Sequence, residues 1–237
     1  MSVATLLSRS SVLVPWLIPA CGLLAIAGIS GWINVPLLGV ACKALTTLLI
    51  ALHALRQPSG DPVQRRAVLA GLFLAFLGDC AFSSPKTFLL GLYLFVLAQC
   101  CHLSVSLRAI GLARPGLIHA AHAVAVGWAI VMWSVRPAPV FVPIATFMCL
   151  LGLMSAQAET WWWRGRGTPA AAVARCAALG GLFWLIADLL WVFSQFVFWV
   201  PGTYALVLTS YWLAQWHLAS IIRAQAVASK PPRAPGD

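Results

Sequence analysis

Three ionisable side chains fall inside apolar stretches of the chain. Asp79 lies in Gly71–Phe82 (GLFLAFLGDCAF), Asp188 lies in Gly180–Phe193 (GGLFWLIADLLWVF), and Lys43 lies in a third apolar run. A charge at the centre of a membrane helix costs about 2.5–3.5 kcal/mol. Two carboxyl groups can divide general acid–base work, one giving a proton while the other stays ionised. We therefore predict that the two aspartates face a shared interior site.

Composition indicates what kind of element must carry these residues. Of 237 residues, 62% are hydrophobic and 8% are charged, with a mean hydropathy of +0.92. A water-soluble domain does not need so much apolar surface, and long apolar runs without two-residue alternation exclude a β-barrel. The fold class expected is an all-α integral membrane protein embedded in a lipid bilayer.

The apolar runs predict a bundle of about eight transmembrane helices. Residues 1–223 are expected to form a single polytopic domain, and residues 224–237 a disordered basic tail. The first run resembles a signal peptide, but its length favours a retained helix. The predicted spans are about 12–30, 35–55, 67–83, 87–107, 116–134, 139–158, 173–195 and 202–222.

Basic residues are distributed unequally between the predicted loops. With the N-terminus inside, twelve Lys and Arg residues lie on the inside and two, Lys86 and Arg136, on the outside. This asymmetry predicts cytoplasmic termini, in what we expect to be a bacterial inner membrane. It also accounts for the net charge of +10 without a nucleic-acid partner. The seven cysteines form no C-x-x-C pair, so no metal or other cofactor is expected.

Distances along the helices bring the three ionisable residues to one depth. Asp79 follows Arg66 by thirteen residues, and Asp188 follows Arg175 by thirteen. Both carboxyl groups then lie roughly 20 Å from the cytoplasmic edge, and Lys43 lies about 12 Å below the outer edge. A polar cavity is one interpretation. The other interpretation is a structural ion pair between Lys43 and one aspartate, which would leave the second carboxyl group without a cation.

Four polar residues share helix faces near this depth. Gln99 and His102 are three residues apart, and Tyr211 and Gln215 are four apart, so each pair lies on one face. They either line the same cavity, as substrate-binding residues together with Lys43, or hydrogen-bond between helices. Leu-Ala-Gln recurs after each aspartate, ending at Gln99 and at Gln215, which suggests a parallel repeat of two four-helix halves.

At these residues the chain resembles the YhhN-like membrane proteins, the lysoplasmalogenase family. Individual motifs are short, and their order and spacing carry the resemblance. The matching segments are Cys42-Lys43-Ala44-Leu45-Thr46, where the family tends to have K-P-L; Leu77-Gly78-Asp79 with Pro85 and then Gly91 to Ala98; Pro143 to Met154; Ala187-Asp188, where the family often has S-D; and Tyr211-Trp212-Leu213-Ala214-Gln215, close to its Y-x-x-A-Q.

The resemblance implies a bundle of about eight membrane helices and an ether hydrolase. Such proteins cleave the vinyl ether bond of a lysoplasmalogen, a single-chain lipid, to a fatty aldehyde and a glycerophospho-head group. Asp79 and Asp188 would be the catalytic pair, with Asp79, in its Gly-Asp context, the better candidate for the essential acid. One departure is Gln99, where the family commonly has histidine, and His102 lies on the same helix face.

Two other functions fit intramembrane charges. A proton-coupled transporter or lipid-binding protein would also place acids in its spans, often in helices interrupted by glycine or proline. The Asp79 and Asp188 spans contain no proline, which favours an enzyme. A purely structural bundle is the third interpretation. The oligomeric state and the head-group preference are left open by the sequence.

Overall fold

The structure, a computed structural model, describes residues 3–113, 141–196 and 202–228, and within them all regular structure is helical. A short 3-10 helix at Pro85–Thr87 precedes the fourth α-helix. The α-helices are α1 (Val3–Ile29), α2 (Pro36–Leu55), α3 (Pro62–Ala81), α4 (Phe88–Ile110), α5 (Phe141–Arg164), α6 (Ala171–Phe196) and α7 (Thr203–Ala228).

Local sequence explains where several helices begin and end. The Asp61 side chain accepts from the backbone N–H groups of Val63, at 2.8 Å, and Gln64, at 3.2 Å, and Pro62 occupies the first turn of α3. Helix α2 likewise starts at a proline, Pro36. Helix α4 ends at Gly111, whose φ of +65° is a conformation that glycine adopts most readily.

Five helices of the described residues are long and apolar enough to cross a membrane. They are Pro36–Leu55, Pro85–Ile110, Val142–Arg164, Ala171–Ser194 and Thr203–Gln225. Helix α1 contains a shorter apolar stretch, Val14–Ile29, and α3 has 20 residues but opens with Gln64, Arg65 and Arg66. The described part of the chain is therefore all-helical, and the chain is an integral membrane protein, as composition predicted.

Helices that follow one another in the sequence pack together. The largest contacts join α6 to α7, α3 to α4 and α1 to α2. The α1–α2 crossing is close, because an ideal Cβ on Gly28 would lie 2.6 Å from the Cα of Gly39. Glycine is needed at such a backbone-to-backbone approach.

All seven described α-helices contribute to one cavity. Helices α1, α3 and α6 reach it with residues in their second halves, whereas α2, α4, α5 and α7 reach it with residues in their first halves. The second group therefore runs opposite to the first, and α4 and α5 run in the same direction. We call this the cavity end of the bundle.

The predicted boundaries differ from the observed ones at several places. The span predicted at 67–83 begins earlier, at Pro62, because Asp61 and Pro62 start the helix before the apolar run. Helix α7 continues to Ala228, beyond the domain boundary expected at 223. The span predicted at 116–134 and residues 229–237 lie outside the described residues. The count of eight helices and the two-half repeat remain predictions.

Candidate active site

Asp79, near the end of α3, accepts contacts from two other helices. Its Oδ2 accepts from the Thr47 hydroxyl at 2.6 Å and from the Tyr211 hydroxyl at 2.9 Å, and Lys43 Nζ lies 2.9 Å from Oδ1. The Lys43 contact is an ion pair rather than a well-aligned hydrogen bond, since Oδ1 has no aligned donor among the described residues. All three neighbours can donate, which suits an ionised, acceptor-only carboxylate.

Helix periodicity explains why these donors converge. Lys43 and Thr47 are four residues apart on α2, so their side chains project from one face. On α3, Gly78 precedes Asp79 and lets α4 approach, because an ideal Cβ there would lie 3.1 Å from the Phe95 ring. The carboxyl group is thereby buried, with an exposed fraction of 1%.

Lys43 is the most exposed member of this group. Its side chain is 23% exposed, and Nζ lies 5.9 Å from the centroid of the Phe82 ring, within the range of a cation–π contact. The ammonium therefore contacts Asp79 on one side and is open to the cavity on the other.

Asp188, on α6, has different surroundings. Its Oδ2 is buried and has no hydrogen-bond partner among the described residues. The carboxyl group interacts with the side chain of Trp184, one turn earlier. It is also close enough to Lys43 and Asp79 to interact electrostatically with both. The ion pair found within the described residues joins Lys43 to Asp79 and leaves Asp188 outside it.

The cavity that contains these groups has a volume of about 710 Å³. Lys43, Asp79, Asp188 and Tyr211 all line it, and most of the remaining wall is aliphatic or aromatic. A volume in this range suits a small organic ligand, and an apolar wall with a few convergent polar groups is typical of a ligand site.

Three aromatic rings close the deep side of the cavity. The Phe95 ring lies 6.0 Å from the rings of Trp184 and Tyr211, and the Trp184 ring lies 6.1 Å from that of Tyr211. These are the deepest cavity-lining residues of α4, α6 and α7. We call the three rings the aromatic floor.

The structure brings together four of the seven residues predicted from sequence. Lys43, Asp79, Asp188 and Tyr211 line the cavity, so the expected convergence of three ionisable groups is present. Lys43 forms an ion pair with one aspartate, as one sequence interpretation expected, and this pair faces a cavity whose wall is mostly apolar rather than polar. Gln99, His102 and Gln215 are buried but absent from the cavity wall, so their part in substrate binding stays a prediction.

Thr47 is the polar neighbour of Asp79 that sequence reasoning missed. The signal was its position one helical turn after Lys43, although threonine is common in membrane helices and carries no specific motif. Among the described residues, no group of three His, Cys, Asp or Glu side chains is placed to hold a metal ion.

Comparison with known proteins gives one match. No curated protein and no solved structure matches the chain. The model of the YhhN family matches residues 38–222, a stretch that includes Lys43, Asp79, Asp188 and Tyr211. Because this match covers most of the sequence, the chain belongs to the YhhN family.

Proposed function

We propose that the protein is a membrane-embedded ether hydrolase of the lysoplasmalogenase type, acting on the vinyl ether bond of a single-chain lipid. One observation carries the proposal: an ion-paired carboxylate, Asp79, and a carboxyl group outside that pair, Asp188, line one apolar cavity. Family membership is consistent with this reaction.

The chemistry requires a proton donor beside an apolar chain. Protonation of the alkene carbon that does not bear oxygen converts the vinyl ether into an oxocarbenium ion. Water adds to the charged carbon, and its released proton restores the acid. The resulting hemiacetal loses its hydroxyl proton and breaks its bond to the glycerol oxygen, which takes up a proton in exchange, giving a fatty aldehyde and a glycerophospho-head group. One water is consumed for each lipid.

The surroundings of the two carboxyl groups favour one division of these roles. Asp188 has no cation paired to it among the described residues, so it is the better proton donor. Asp79 already accepts hydrogen bonds from Thr47 and Tyr211 and is ion-paired with Lys43, so it suits the anion that stabilises the oxocarbenium ion or orients water. Paired carboxyl groups divide acid and anion roles in the same way in glycosidases. This reverses the sequence-based expectation that Asp79 is the acid.

The cavity wall supports the proposed class of substrate. Phe82, Phe88 and Trp191 line it, and the Phe82 ring lies 5.0 Å from that of Phe88. Such a surface buries a hydrocarbon chain. Lys43, partly exposed to the cavity, is placed to attract the lipid phosphate or to keep Asp79 ionised.

The proposal includes a membrane arrangement. Twelve basic residues on one side against two on the other support cytoplasmic termini in a bacterial inner membrane, with the cavity end in the outer half. The span predicted at 116–134 would make eight helices, and it would allow α4 and α5 to run in the same direction. The equivalent positions of Gln99 and Gln215 on α4 and α7 support two related halves within a single domain.

The experiment is a product assay on purified protein in detergent. A lysoplasmalogen and the ester lysolipid with the same head group are supplied side by side. We expect fatty aldehyde from the first and no fatty acid from the second. Fatty acid release, or substrate uptake into sealed vesicles without aldehyde, would contradict the proposal, and the second result would favour the transporter.

A further inference from the structure

Three polar side chains without partners lie beneath the aromatic floor. Gln99 and Gln215 are fully buried, and His102 is 3% exposed. Both amide atoms of each glutamine and both ring nitrogens of His102 make no hydrogen bond to any described residue. We call these three side chains the amide–imidazole layer.

Burial does not by itself leave an amide unpaired in this bundle. Gln157 is equally buried, yet it donates to the Gly111 carbonyl at 2.5 Å and accepts from the Ala113 N–H at 3.1 Å. Buried polar groups in native proteins are nearly always paired with protein or with ordered water. Six unpaired atoms in three residues therefore need a common explanation.

Helix register places the two amides at one level. The Phe95 and Tyr211 rings contact each other across α4 and α7 at 6.0 Å, and these helices run in the same direction. Gln99 and Gln215 each follow one of these rings by four residues, so both lie about 6 Å deeper in the bundle.

The His102 ring belongs to the same layer. It contacts the Trp184 ring at 6.0 Å, from below the floor. It also lies against Gly71 on α3, where an ideal Cβ would be 2.5 Å from Nε2. Through His102 the layer therefore contacts α3 and α6 under the cavity.

The chemistry of these atoms defines what they bind. Two neutral carboxamides and an imidazole offer both donors and acceptors and no fixed charge, unlike a site for an anion or a metal ion. Water both donates and accepts, and buried water typically makes about three hydrogen bonds to otherwise unpaired polar groups. We propose that the amide–imidazole layer binds internal water, and that this water supplies the molecule that ether hydrolysis consumes.

The second half of this inference rests on the proposed function. A lipid in the cavity covers its apolar wall, so the reacting water is best supplied from the opposite side. Tyr211 connects the two compartments, because its ring belongs to the floor and its hydroxyl donates to Asp79. The chain thus holds its water on the side of Asp79 that the lipid does not cover.

Hydroxyl-radical footprinting by X-ray radiolysis tests water binding without any substrate, because radicals form from bound water where it lies. We expect His102, which is 3% exposed and absent from the cavity wall, to be modified promptly. The control is Met154, a reactive side chain that is 2% exposed on α5 and also absent from the cavity wall. Modification of His102 no faster than that of Met154, after correction for intrinsic reactivity, would overturn the inference.

Substitution of both amides gives a second readout. In the Gln99→Met/Gln215→Met variant we expect His102 modification to fall to the level of Met154 and Tm to fall, because bound water is lost. A rise in Tm would mean that the amides are unpaired and dry, since removing an unsatisfied polar group stabilises a protein. The matched control Gln157→Met should lower Tm and leave His102 modification unchanged.

Kinetics test the supply of water to the reaction. In the double variant we expect kcat to fall about tenfold or more, with KM within about twofold of wild type. An unchanged kcat would overturn the supply role. A wild-type protein that releases no aldehyde would refute the proposed function, whereas footprinting still decides whether the layer binds water. Should the double variant not fold, the wild-type footprint remains decisive.

Discussion

The Tyr211 hydroxyl lies 2.9 Å from Oδ2 of Asp79 and links α7 to α3 at the deep side of the cavity. Thr47, on α2, donates to the same oxygen at 2.6 Å. Asp79 is therefore oriented by side chains from two other helices. A carboxylate fixed in this way can act on a nearby cation without rearranging, which is the property that electrostatic catalysis requires.

Removal of either hydroxyl tests this orientation. Tyr211→Phe and Thr47→Val keep the size of each side chain but remove its donor. A hydrogen bond to a charged group contributes about 1.5–3 kcal/mol. We therefore expect each variant either to lower the free energy of unfolding or to raise the activation free energy of the reaction by an amount of that order. The measurement is aldehyde release together with Tm in detergent.

The matched control is Tyr93→Phe, since Tyr93 on α4 is 54% exposed. It should change neither aldehyde release nor Tm. If Tyr211→Phe behaves as this control does, the hydroxyl does not position Asp79.

The Lys43–Asp79 pair is expected to be coupled energetically. Lys43→Met leaves the 1%-exposed Asp79 without its cation, and breaking a buried pair costs up to about 3–5 kcal/mol, less here because Lys43 is partly exposed. We expect Tm to fall in the single variant and to recover in Lys43→Met/Asp79→Asn, while activity stays lost in both.

A double-mutant cycle on Tm measures this coupling, and Lys86→Met, at an exposed lysine, is the control for loss of a charge. Strictly additive effects of the two substitutions would show that the 2.9 Å contact contributes nothing to stability.

Sequence reasoning predicted the class of fold and the convergence of charges for a physical reason. The bilayer fixes helix length, and a rise of about 1.5 Å per residue then fixes the depth of every residue relative to the basic loops. Lys43, Asp79 and Asp188 could be brought to one depth by this reasoning, and all three line the cavity.

The rotation of each helix about its own axis could not be predicted from the sequence in the same way. It decides that Asp79 rather than Asp188 pairs with Lys43, and that Thr47 joins them. The level at which the cavity ends was also not predicted: Tyr211 lies in the cavity wall, whereas Gln215, one turn further along α7, does not. The apolar faces of these helices are so broad that periodicity does not indicate which face is central.

Membrane orientation is predicted from the loops. Reporter fusions after Lys86 and Arg136 should report the outside, and fusions after Arg65, Arg166 and the C-terminus should report the cytoplasm. A C-terminal fusion that reports the outside would contradict the even number of spans. The paired fusions on each side serve as controls for one another.

Isotopes from water should mark both new bonds of the product. In heavy water we expect the aldehyde to carry one deuterium on the carbon next to the carbonyl, because that carbon receives the catalytic proton. In ¹⁸O-water the label should enter the aldehyde and not the glycerol product, because water adds to the carbon of the oxocarbenium ion. Mass spectrometry of rapidly trapped aldehyde gives both results, and label in the glycerol oxygen would rule out this route.

The central claim is that Asp188 delivers the proton while Asp79 remains an oriented anion. Its most direct test is the rate of aldehyde release by Asp188→Asn, normalised to folded protein, since the amide keeps the size of the side chain but cannot donate an acidic proton. We predict a fall of about 10²–10⁴-fold, as is typical when general acid catalysis is lost, with Tm not lowered. Release at the wild-type rate by Asp188→Asn would contradict the account and leave the Lys43–Asp79 pair as a structural feature alone.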